Sequence, residues 1–157
     1  MAVAHLSGDA LPALIVVCRR GLVMPMEPST AFAAIALAAV FWDGRLTMAG
    51  SRALRHALDY RQPFKSYDDT TMVALMDSLV AELRQKGAQH MMVESAEVLK
   101  PEQRMTAFAV AAQIMRSDGR YEQDELNILS HLAGVLQLSD DFTFEVMRVM
   151  DALHSDL

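Results

Sequence analysis

Apolar positions recur along most of the chain at the three- and four-residue spacing of one helix face, and local breakers interrupt the pattern at regular intervals. Leu11–Val23 reads as a first apolar helix, closed at Met24-Pro25, because a residue before proline avoids the helical region. Pro28-Ser29 opens a second helix, Ser29–Trp42, ended by Asp43-Gly44. A third runs from about Thr47 to Tyr60 and stops at Gln62-Pro63. Asp68 or Asp69 caps a fourth, Thr70–Lys86, whose Leu75, Met76, Leu79, Val80 and Leu83 fall on one face. Gly87 breaks it, and Ala88–Leu99 forms a fifth. Pro101 suits the first turn of a sixth, which reaches Met115 before Asp118-Gly119. A seventh covers Glu122–Leu136. Ser139 caps an eighth, Asp140–His154, with Asp140 and Asp141 placed where the helix dipole favours acids. No alternating strand pattern is present. The expectation is all-α: one compact domain, residues 1–157, of about eight helices.

The composition agrees, being rich in Ala, Leu and Met, which favour helices. At 52% hydrophobic and 22% charged, the chain is not a disordered one. A net charge of −6 argues against a general nucleic-acid binder, which needs a basic face. The single cysteine, Cys18, excludes an intrachain disulfide framework and a Cys-clustered zinc finger; among Ile15, Val16 and Val17 it reads as packing. Leu14–Cys18 is followed by Arg19-Arg20, the reverse of a secretory signal's charge order. The longest apolar stretch, Ala31–Trp42, is too short to span a bilayer and reads as a buried core helix ending in the anchors Phe41 and Trp42. A cytoplasmic location with no transmembrane segment is expected.

A shift of 75 residues lays Ala34–Leu58 over Ala109–Ala133 without gaps. The identical pairs are Ala34/Ala109, Ala36/Ala111, Asp43/Asp118, Gly44/Gly119, Arg45/Arg120, Leu54/Leu129 and His56/His131. Each segment reads helix, Asp-Gly-Arg turn, helix, so the pattern suggests a duplicated helical hairpin, each copy burying a face that neither buries alone.

The two turns differ in charge. Asp118–Glu125 carries Asp118, Glu122, Asp124 and Glu125 against Arg120, a net of −3. Asp43–Gly50 sets Asp43 against Arg45, a net of zero. Hard cations take several oxygen ligands from carboxylates and carbonyls. Asp118, Glu122 and Glu125 are therefore candidate ligands, joined by Asp43 where the two turns meet. The same residues have a second reading. Asp before Gly stabilises a turn through its own side chain, and Glu122 and Glu125 occupy the first and last positions of a capping box. In the first segment Thr47 is a good cap, but Gly50 offers no side chain to reciprocate. The loop is not an EF-hand, since it lacks the alternating acids and is too short.

An apolar helix, Asp-Gly, a Glu seven residues after the Asp, and a Leu/Ile-rich helix, clearest in Ala111–Leu138, resemble the tellurite-resistance TerB-like family. The resemblance implies an all-helical duplicated fold, a divalent-cation-binding acidic surface (Ca, Mg, Mn or Zn) and a non-enzymatic role in tellurite resistance or a related stress response. It also implies protein partners at the inner membrane surface. It carries the metal role to Asp118 and Glu125, and to Asp43 in the weaker copy, where Gly50 stands in place of a second Glu. The Met-rich, apolar composition without a catalytic set also suits a metal-independent helical interaction module, with a homodimer among its forms. Met91-Met92 and Met147/Met150 suit either a partner surface or a core. His56 and His131 are repeat-equivalent, but no zinc-binding His spacing occurs. No P-loop, nucleophile elbow or other catalytic set is present, and no enzymatic activity is expected.

Overall fold

The computed structural model describes residues 26–156. They form seven helices, α1 (Pro28–Phe41), α2 (Met48–Asp59), α3 (Asp69–Lys86), α4 (Ala88–Val98), α5 (Pro101–Arg116), α6 (Gln123–Val135) and α7 (Asp140–Leu153), with a 3₁₀ turn at Phe64–Ser66 before α3. No strand occurs among the described residues. The expected helix at Leu11–Val23 and Cys18 lie outside them, so the described part holds seven of the eight helices anticipated.

The helix ends sit where local chemistry places them. Pro28 and Pro101 occupy the first turns of α1 and α5, where a missing N–H costs nothing. The Thr71 amide donates to Asp68 Oδ1 at 2.7 Å, so of the two candidate caps Asp68 takes the role. Its neighbour Asp69 instead accepts from Arg55 across the α2–α3 junction at 3.1 Å. The Phe142 amide donates to Ser139 Oγ at the start of α7.

α1 is the centre of the bundle, packed against α2, α3, α4 and α5. Its Ala31, Ala33, Ala34, Ile35 and Ala38 are wholly buried. A helix apolar on every side has nowhere to go but a core, and the alanines let its neighbours approach closely. Phe108 of α5 and Met91 and Met92 of α4 are wholly buried too. Burying each of these large side chains contributes about 1.5–3 kcal/mol. Of the two readings of the methionines, the core one holds and the partner-surface one does not for Met91, Met92 and Met150, which are core residues, while Met147 is half-buried against the same core. Phe41 is buried and Trp42 packs half-buried on the same core, as expected of anchors. The α3 face is also as expected, with Leu79 and Leu83 buried, and Met72 extends it by one turn. No helix of the described residues is long and apolar enough to cross a membrane.

Candidate functional site

Residues 42–47 join α1 to α2, and residues 117–122 join α5 to α6. The two connections begin alike. The Gly44 amide donates to the Phe41 carbonyl and the Gly119 amide to the Arg116 carbonyl, at 3.0 and 3.2 Å. Gly44 has φ 79° and Gly119 φ 134°, positive values that a side chain would resist.

The turns then diverge. Asp43 folds onto its own loop, its Oδ1 accepting from the Arg45 amide at 2.9 Å. Asp118 reaches across instead: Thr47 Oγ1 donates to Asp118 Oδ2 at 2.8 Å, linking residues 71 positions apart. Thr47 is at the same time the cap of α2, its Oγ1 accepting from the Gly50 amide at 2.9 Å. One hydroxyl thus ends α2 and ties its turn to the other. At the equivalent place before α6 the direction is reversed: the Glu122 amide donates to Glu125 Oε2 at 2.9 Å. The threonine and the glutamate each supply a side chain of a capping box.

Gly50 has a structural reason to be glycine. A Cβ there would lie 2.3 Å from Val40 Cγ2 and 3.0 Å from Thr47 Oγ1. The first turn cannot carry the second Glu that the resemblance leads one to expect, because α2 starts hard against α1.

Asp43, Asp118 and Glu122 are exposed, while Glu125 is half-buried. Burial raises the Glu125 pKa above its ordinary value, and the charges of Glu122, Asp118 and Asp43 push it the same way, against the Glu122 amide, which lowers it. Glu125 thus feels the charge of each of the other three candidate acids. Asp43, Asp118 and Glu125 each commit one oxygen to a hydrogen bond within the fold. As placed, they do not close into a cage: no group of three His, Cys, Asp or Glu side chains among the described residues converges tightly enough to enclose a metal ion. His56 and His131 are both exposed, His56 edge-on to Tyr60 at 4.8 Å between ring centres.

The far side of the second turn is of opposite character. Arg116, the last residue of α5, is buried; its Nη1 donates to the Gly119 carbonyl and its guanidinium lies over the Tyr121 ring at 5.7 Å. The Tyr121 hydroxyl donates to the Ala112 carbonyl at 2.8 Å, and burial, with Asp151 adding, raises its pKa well above the ordinary value. Sequence reading passed over this arginine. Its signal is that it stands 75 positions after Phe41, a single cation where the other segment has a core aromatic.

No protein-family model, no curated protein and no solved structure matches the chain.

Proposed function

We propose that the chain is a non-enzymatic helical module of the TerB-like kind, serving tellurite resistance or a related stress response, and that its two joined turns act as one acidic recognition surface. The observation that carries the reading is the Thr47–Asp118 hydrogen bond, which holds the turns together, with Asp43, Asp118 and Glu122 each near enough to Glu125 to push its pKa up. The duplicated-hairpin reading rests on the same pair of turns. A divalent cation at this surface would use the oxygens left over from turn and cap bonds. With no three carboxylates converging, the mode that fits is one or two carboxylates plus water, as a strongly hydrated hard cation accepts.

A second reading is a metal-independent interaction module. It is favoured by the fact that Asp43, Asp118 and Glu125 already have hydrogen-bonding roles within the fold.

Thermal melting of EDTA-treated protein, with and without each of Ca²⁺, Mg²⁺, Mn²⁺ and Zn²⁺, separates the two when run beside Asp118→Asn. The amide keeps an oxygen for the Thr47 hydroxyl and removes the charge. A cation at about 100 times its Kd adds roughly 2.7 kcal/mol of stability. A melt raised by one cation in the wild type but not in D118N supports cation binding. No rise with any cation leaves the acids as turn and cap residues and favours the interaction module.

A further inference from the structure

Arg116 lines an open cleft of about 960 Å³ between the 117–122 turn and α7, a volume within the usual range for small-molecule sites. Its side chain is 9% exposed. The guanidinium is fixed from two sides, by the Gly119 carbonyl at Nη1 and by the Tyr121 ring beneath it. Nε is buried without a hydrogen-bond partner. The nearest acid, Asp151, approaches Nε only to 3.5 Å and is itself 66% exposed. One buried N–H without a hydrogen bond is costly, and its ion-pair partner Asp151, loose at 3.5 Å and largely exposed, is one that a bound carboxylate can displace; a planar fork held in place is the arrangement that recognises a carboxylate through paired bonds.

The rest of the cleft narrows the ligand. Tyr121, Leu126 and Met147 offer apolar wall. Arg120 adds a second cation at the rim, and Asp151 and Asp156 balance the two arginines, so these four charges cancel. His154 is oriented by the bond between its Nδ1 and the Met150 carbonyl at 2.8 Å. Attraction for an anion therefore comes from the held fork and not from net charge, which favours a monoanion over a multiply charged phosphate. We propose that this cleft binds a small organic carboxylate with an apolar body, its carboxylate on Arg116 and its body against Tyr121, Leu126 and Met147.

Benzoate, titrated into the full chain while the Arg116 Nε–Hε resonance is followed by NMR, tests this directly. A saturable shift of that resonance is expected, absent with chloride at equal ionic strength. Arg116→Met abolishes benzoate binding. Arg116→Lys keeps the charge but loses the fork, and should weaken binding about tenfold. Arg120→Ala, at an exposed position that does not bear on folding, should weaken it about two- to fivefold. Should R116M fail to fold, the wild-type resonance and R120A still decide the matter. No shift with benzoate, an equal shift with chloride, binding retained in R116M, or tighter binding of inorganic phosphate would each overturn the proposal. The protein is treated with EDTA and desalted before the titration, so the outcome is independent of any cation at the acidic surface and no competing carboxylate is present.

Discussion

Thr47→Val removes a hydroxyl that does two things at once. As the α2 cap it accepts from the Gly50 amide, and loss of such a cap costs typically about 1 kcal/mol. As a donor it holds Asp118, and an exposed hydrogen bond of this kind contributes about 0.5–1.5 kcal/mol. The expected total is about 1.5–2.5 kcal/mol, a fall in Tm of roughly 3–10 °C for a chain of this size. Thr47→Ser keeps both bonds and should lose under about 0.5 kcal/mol. Urea unfolding of T47V, D118A and the double variant closes a mutant cycle. If the turns are joined as described, the coupling is about 0.5–1.5 kcal/mol, since each single variant already breaks the shared bond. A coupling below about 0.3 kcal/mol, within the scatter of independent sites, would refute the joining of the turns and with it the shared acidic surface.

Other consequences are more local. Gly50→Ala forces a methyl group against Val40 and the Thr47 hydroxyl, and chemical denaturation should register a loss of about 1–3 kcal/mol despite alanine's better helix propensity. Phe108→Ala empties the centre of the core and should cost about 3–5 kcal/mol by the same measurement; a loss under about 1 kcal/mol would place Phe108 outside the core. Glu94 has its pKa held below the ordinary value, chiefly by its hydrogen bond with Lys86, and His90 assists. Its contribution is thus present above the unfolded pKa, near 4.5, and is lost as pH falls through the folded value. Glu94→Gln should therefore lower stability at pH 7 and flatten the acid side of the stability curve, with wild type and variant converging at low pH. A constant difference across the whole range would contradict this assignment.

The helices were legible because their ends are written locally. Pro28, Asp68, Pro101 and Ser139 act on the turn they begin, and the observed boundaries fall within a residue or two of those read from the pattern. The all-round burial of α1 was equally visible in its unbroken apolar run. The candidate site was legible only in part. Its acids could be located, because Asp-Gly is a turn signal, but a carboxylate at a helix start serves a cap, a turn or a cation with the same chemistry. Which role it takes depends on what approaches from elsewhere in the chain. Thr47 read as a cap, but its second bond lies 71 residues away. Gly50 read as a defect in the capping box, and its reason is a valine on the preceding helix. Arg116 read as nothing in particular, because only packing against Tyr121 and Gly119 turns a charged helix end into a buried fork.

The central position of α1 also has a consequence for synthesis. Its apolar surface is covered largely by α4 and α5, which begin at Ala88 and Pro101, while α1 itself begins at Pro28. At about 5–20 residues per second, the ribosome leaves this helix without its main partners for roughly 3–15 s. During that interval the emerging chain presents an alanine-rich apolar surface, with Phe32, Ile35, Leu37 and Phe41 on it, that can associate with any other apolar segment nearby. Yield in cells should therefore depend on elongation rate and on holding chaperones more strongly than the equilibrium stability of the finished bundle suggests, and chains truncated before Ala88 should be recovered mainly as aggregate.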